Sequence, residues 1–423
     1  MRIKYFLLFL IMVFFSLSGL GYAAEAVQLA PLLKEAGANN PEVLAAKKRW
    51  EASQARIPQA KAWEDPAVTF EFDKIPRGTF KLDKTMPEDR MLSIAQTMPF
   101  FGKLPLKGKI AVIEAQMFAA EFRSKETEVA NDVKNGYYDL FMNYKEEELD
   151  SQILLILQAV SRVAKARCET GAIAQQDLFK IDLEIARFDN RIANLRQERS
   201  AKETGLNALL NRPSESALGA PQLSEDFSFD KDIASLYKLT LENQAELLIF
   251  SYAIEKNKYA RDLAKRNLFP DLMSEITLRG LTTGSFGLWD LMLSFTVPVW
   301  YWTKQKYEIK EAINNLEEAK AAYQAMKNKA LARTKDLYVK AQVARQKIVL
   351  YKNNLIPFLE SSIGSSLAGF RSGKGDSMML LDNIRMLIET KMEYYKALVE
   401  YNMNLADLEK AVGTDLREGK NEK

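Results

Sequence analysis

The chain has 423 residues, 47% of them hydrophobic, and its 59 basic residues against 56 acidic ones leave a net charge of +3. No basic block stands out along it, so nucleic acid is not an expected partner. It has no histidine, which removes the commonest general base and the commonest transition-metal ligand, and its single cysteine, Cys168, rules out an internal disulfide framework.

Arg2 and Lys4 precede an apolar run from Tyr5 to Leu17 and then the small residues Gly19, Gly21, Ala23 and Ala24. This pattern is a secretory signal peptide over residues 1–24. Cys168 lies far from the cleavage region, so lipid attachment through an N-terminal cysteine is not expected. Beyond this segment no run approaches the roughly 18 apolar residues that a spanning helix needs. The mature chain is therefore expected to be either soluble or a β-barrel.

A helical pattern over 28–62 leads into two strands, 66–73 and 90–98. In the first, Val68, Phe70 and Phe72 alternate with Thr69, Glu71 and Asp73. The second ends in Gln96-Thr-Met-Pro-Phe-Phe-Gly-Lys103. From 105 to 168 no proline follows Pro105, and apolar residues recur at spacings near three and four, as in Val129, Val133, Tyr137, Leu140 and Tyr144. Such a helix would be on the order of 95 Å long, more than a compact domain needs. After the turn Thr170-Gly171-Ala172 the chain returns over 175–211, where Leu178, Ile181, Ile185, Phe188, Ile192 and Leu195 trace the seam of antiparallel coiled-coil packing.

Pro213, Gly219 and Pro221 mark a connector over 213–234, after which the pattern starts again. Helix, strand, strand, long helix and helix are expected at 235–268, 270–279, 288–298, 303–370 and 376–412. Pro99 and Pro298 are 298 − 99 = 199 positions apart, and Gly171 and Gly373 are 373 − 171 = 202 apart. The chain is thus read as a duplication, with repeats at 25–212 and 235–413 and a polar tail at 414–423. Pro357 breaks the long second-half helix and is a candidate hinge; a static bend explains it equally well. Methionines 378, 379, 386 and 392 fall at helical spacing and are read as core filler rather than soft-metal ligands.

The last strand carries Trp289, Leu291, Leu293, Phe295, Val297 and Val299 on one face, opposite Asp290, Met292, Ser294 and Thr296, and ends at Trp300-Tyr-Trp302. That suits a lipid-facing strand with an interfacial aromatic girdle, and equally a soluble sheet with one buried face. Four strands cannot close a barrel, so the membrane reading needs several copies to pool their strands.

The two-fold repeat and the element Gln96-Thr-Met-Pro-Phe-Phe-Gly-Lys103 are followed in order by Leu355-Ile-Pro357, Phe370-Arg-Ser-Gly373 and Leu380-Leu-Asp382. Together they resemble the TolC-type outer-membrane efflux protein family. Pro99-Phe-Phe-Gly-Lys103 is similar to the branch that serves heavy-metal cation efflux. The resemblance implies a mainly α fold with a small membrane β-barrel portion. Three copies would build this channel-tunnel in the outer membrane, with the tunnel extending into the periplasm of a Gram-negative bacterium. The implied partners are outer-membrane lipid, a periplasmic adaptor and an inner-membrane pump. Gly171, Ala172, Gly373, Lys374, Gly375 and Asp376 would then form the tunnel-tip gate or adaptor contact. Asp376 reads both as one member of a cation-attracting ring and as a helix N-cap. The sequence shows no nucleophile–base pair, metal-ligand cluster or phosphate loop, so neither enzyme activity nor a cofactor is expected. The rival reading is a periplasmic or surface coiled-coil spacer.

Overall fold

Short polar signals cut what reads as one leading helix into two. In the computed structural model, which describes residues 27–75, 77–78, 85–86, 89–169, 174–223, 229, 231–280, 287–371 and 377–416, α1 spans Leu29–Asn39 and α2 spans Pro41–Lys61. Asn40 separates them. Its Oδ1 accepts the N–H groups of Glu42 (2.9 Å) and Val43 (3.2 Å), and Pro41 occupies the first helical position, where the missing N–H costs nothing. The single helix expected over 28–62 is therefore interrupted. The second half repeats the break at Gln244, between α5 (Ile233–Asn243) and α6 (Ala245–Arg266).

The remaining elements are β1 (Ala67–Phe72), β2 (Arg90–Met98), α3 (Lys103–Glu169), α4 (Gln175–Leu209), β3 (Leu272–Arg279), β4 (Leu288–Phe295), α7 (Gln305–Leu350), a π-helical turn (Tyr351–Leu355), α8 (Ile356–Arg371) and α9 (Ser377–Val412). Helix α3 has 67 residues, an axial length of about 100 Å at 1.5 Å per residue.

The chain forms two compact units, each drawing on both halves of the sequence. One comprises residues 44–125 and 240–332. It holds a four-stranded antiparallel sheet in the order β1-β2-β3-β4. The central pair, β2 with β3, joins the two halves of the chain through a register that sets Ile94 opposite Ile276 and Ser93 opposite Thr277.

Among the described residues the other unit draws on 27–43, 126–239 and 333–416, and is helical. Ile181, Phe188, Ile192 and Leu195, expected on the α4 seam, are buried. Polar groups fix how α4 sits along α3. Asn143 donates to the Leu195 carbonyl (3.0 Å), Ser161 donates to Asp182 (2.8 Å), and Glu147 bridges Arg196 (2.7 Å) and Arg199 (2.6 Å). A second core packs α7 on α9 through Leu337, Ile348, Leu398, Tyr401 and Leu408, with Ala341 and Ala344 allowing close approach.

The connector is fastened to this unit. The Tyr137 hydroxyl lies 2.6 Å from the Gln222 carbonyl and 2.8 Å from the Val27 carbonyl, which share its one proton, and it accepts the Gln222 N–H (2.8 Å). Burial pushes the Tyr137 pKa up from its ordinary value. On the sequence Tyr137 was simply one more apolar position in a helix.

The helical pattern over 303–370 is broken next to Pro357, as expected, into α7, the π-helical turn and α8. The Ile356 N–H bonds to the Tyr351 carbonyl, five residues back, and Pro357 follows as the second residue of α8. Proline offers no N–H, and its ring crowds the carbonyl four residues earlier; the wider π turn lies where that crowding falls.

Candidate functional site

Strand alternation and register build two unlike faces on the sheet. On one, Phe70, Leu92, Leu278 and Trp289 stand in a row across all four strands, followed by the row Val68, Ile94, Ile276 and Leu291. Phe70 and Trp289 are each 67% exposed within the single chain, so this apolar face lies open. The other face carries Thr69, Ser93, Thr277 and Asp290 in one row, with Glu71, Glu275 and Arg279 nearby. The Ser93 and Thr277 hydroxyls lie 2.8 Å apart, Thr277 donates to Glu275 (3.4 Å), and Arg279 pairs with Asp290. Beyond β4, Val297, Val299, Trp300 and Trp302 extend the exposed apolar surface. An apolar band of about 25 Å ending in aromatic residues, opposite a polar face, is what lipid on one side and water on the other require.

At the foot of the sheet, Pro99–Lys103 is clasped to Phe269-Pro270-Asp271. Lys103 is buried, and its Nζ donates to Asp271 Oδ1 (2.8 Å) and to the Phe269 carbonyl (2.9 Å). The same carboxylate oxygen accepts the Phe100 N–H (2.7 Å). Phe100 stacks on Phe269 with centroids 4.6 Å apart, and the Arg266 guanidinium lies 5.9 Å from that ring. Gly102 has φ +93, a backbone conformation that side chains rarely adopt, so the turn favours glycine; space is not the reason, since a Cβ there would meet the Arg266 guanidinium at 3.5 Å, an ordinary contact. The motif was legible in the sequence, but its partner was not. The one available signal was a lysine directly after an otherwise apolar turn.

In the helical unit the residue that sequence reasoning missed is Asp150. It is fully buried on α3, and its Oδ2 lies 2.8 Å from Arg191 Nε on α4, yet neither carboxylate oxygen accepts a well-aligned hydrogen bond from a described residue. Burial raises its pKa to about 6, against the pull of Arg191.

Of the residues expected at a gate or adaptor contact, Gly171, Ala172, Gly373, Lys374, Gly375 and Asp376 lie outside the described residues, as does the signal segment. Pro357 lies at the start of α8, next to the π turn. Among the described residues no helix is long and apolar enough to cross a membrane, and no group of three or more acidic or cysteine side chains is placed to hold a metal ion.

The family model for outer membrane efflux proteins matches the chain twice, over residues 32–212 and 236–414. The cobalt-zinc-cadmium resistance protein CzcC of Cupriavidus metallidurans is 18% identical over 399 residues, covering 92% of this chain and 91% of CzcC. Among solved structures, CusC superposes with a TM-score of 0.79 at 17% identity, covering 93% of each chain. The outer membrane protein VceC of Vibrio cholerae gives 0.76 at 15% identity, covering 92% of this chain and 96% of VceC. The open state of the MtrE outer membrane channel of Neisseria gonorrhoeae also gives 0.76, at 15% identity, covering 92% of this chain and 89% of MtrE. The fold is thus that of these channels. The chain belongs to the outer membrane efflux protein family, and is a channel of the Gram-negative outer membrane, reaching into the periplasm, that serves efflux and not catalysis.

Proposed function

We propose that three copies of this chain pool their strands into one outer-membrane barrel and their helices into one tunnel, through which an inner-membrane pump, joined by a periplasmic adaptor, expels metal cations. The observation that carries the reading is the sheet itself, four strands with one open apolar face and two unpaired edges, β1 and β4. Open edges are not tolerated in lipid, so closure needs further copies. Two copies would give eight strands, whose interior side chains fill, whereas three give twelve and leave an aqueous lumen. The likeness to a cobalt-zinc-cadmium resistance protein supports metal cations as cargo.

In this reading residues 1–24 are the export signal, 25–212 and 235–413 are the tandem repeats joined by 213–234, and 414–423 is a polar tail. Gly171, Ala172, Gly373, Lys374, Gly375 and Asp376 form the tip that meets the adaptor and gates the tunnel, and Pro357 with its π turn is the hinge. Three Asp376 carboxylates would form a ring that draws cations in.

The test is a heat-modifiable trimer in outer-membrane extracts that conducts ions in planar bilayers. A monomer that stays soluble without detergent would overturn the reading. Loss of the gene should lower tolerance to cobalt, zinc or cadmium; unchanged tolerance to all three would remove the metal assignment while leaving the channel. In bilayers, Asp376→Asn should weaken block by multivalent cations, and unaltered currents would remove the ring.

A further inference from the structure

The duplication gives the chain two sets of the parts that build the clasp, and only one set is used internally. The clasp joins Pro99–Lys103 of the first half to Phe269-Pro270-Asp271 of the second. Left over are an aromatic-x-Asp element in the first half, Trp63-Glu64-Asp65, and a proline turn in the second, from Pro298 to Lys304. Both face solvent. Trp63 is 57% exposed and Trp300 69%, and Asp65 and Lys304 are exposed as well. They flank β1 and β4, the two unpaired edges of the sheet. Their charges are opposite, with Glu64 and Asp65 on one side and Lys304 and Lys306 on the other.

We propose that the turn after β4 of one copy receives Trp63-Glu64-Asp65 of the next copy, as Pro99–Lys103 receives Phe269-Pro270-Asp271 within the chain, and that this seam sets Ser294 opposite Thr69. The inference rests on the oligomeric reading above and adds to it the residues and the register of the joint. The register follows from overlaying Pro298 on Pro99 and Asp65 on Asp271, which carries the observed pair Ala95 with Glu275 onto Ser294 with Thr69. That overlay makes no use of which face each residue occupies, yet the faces agree. Leu293 falls opposite Phe70, Leu291 opposite Phe72 and Phe295 opposite Val68, which are apolar pairs on the apolar side. A slip of one residue would set every apolar side chain against a polar one. The seam also departs from the clasp: Trp302 stands where Lys103 stands, so the cation that meets Asp65 is Lys304, two residues on.

The decisive experiment uses the full chain with Cys168→Ser. Residues directly opposite across antiparallel strands have Cα atoms about 4.5–5.5 Å apart, within the span that a disulfide bridges. Thr69→Cys combined with Ser294→Cys should, on oxidation, give covalent dimers and trimers on denaturing gels, reversed by reductant. Thr69→Cys with Met292→Cys, two residues out of register, should give at least tenfold less. Linkage that favours Met292 overturns the register. An oligomer by sedimentation that links at neither position overturns the seam and leaves the assembly standing, whereas a monomer in detergent overturns both. Should the cysteine pairs fail to reach the membrane, Asp65→Asn and Lys304→Gln provide a second readout. Each should lower the temperature at which the oligomer dissociates, and together no more than either alone; additive losses would reject the pairing.

Discussion

At Asp150 the long hairpin buries a carboxylate beside a half-exposed arginine, and burial wins, holding the pKa near 6. The folded chain therefore favours the neutral acid. Stability from this group is fully present below the unfolded carboxyl value of about 4 and is lost as pH rises through 6. Asp150→Asn should flatten that slope, so that thermal melts of the variant differ less between pH 5 and pH 7.5 than those of the parent; equal slopes would show that the carboxyl stays ionised. Two helical glycines, indistinguishable on the sequence, should part company when replaced by alanine. A Cβ at Gly205 meets nothing, so Gly205→Ala should stabilise by about 0.5–1 kcal/mol. At Gly136 the Cβ would lie 2.8 Å from Cδ2 of the fully buried Leu206. Overpacking there costs about 1–3 kcal/mol and should outweigh the helix-propensity gain, which a lowered melting temperature would show.

At the scale of elements, what could be read was what depends on nearby residues. The three-four spacing of α4 marked Ile181, Phe188, Ile192 and Leu195 as its packing face, and the alternation of β4 marked its two sides. Asn40-Pro41 carried a cap as well, but the apolar pattern ran straight through it, so one helix was read where there are two. The clasp could not be read, because Lys103 and Asp271 meet only once β2 and β3 pair. Its energetics are testable. Asp271→Ala leaves the Lys103 ammonium buried without its carboxylate and should cost about 3 kcal/mol, whereas Lys103→Met, which removes the buried charge, should cost less. Equal losses in chemical denaturation would mean that the pair is only a surface contact. Pro357 was visible as a break, but a proline alone does not tell how the backbone yields. The structure places a π turn before it rather than a simple bend. Pro357→Ala should restore a missing donor and raise the stability of the α8 segment, measured as slower amide exchange there, while reducing open-state fluctuations in bilayer recordings if the turn works as a hinge.

For the whole molecule, the sheet edges dictate an order of events. A single chain brought to lipid exposes the edge N–H and C=O groups of β1 and β4, each costing several kcal/mol without water. In water the same edges, with the open apolar face beside them, invite mispairing. Neither solvent suits the lone chain, so in the proposed assembly insertion would wait for association, and a ring of strands left incomplete would keep the cost of its open edges in the bilayer. In that assembly barrel closure would act as proofreading, since a copy with a defective edge would stall its partners before they reach the membrane and only sealed pores would be delivered to it.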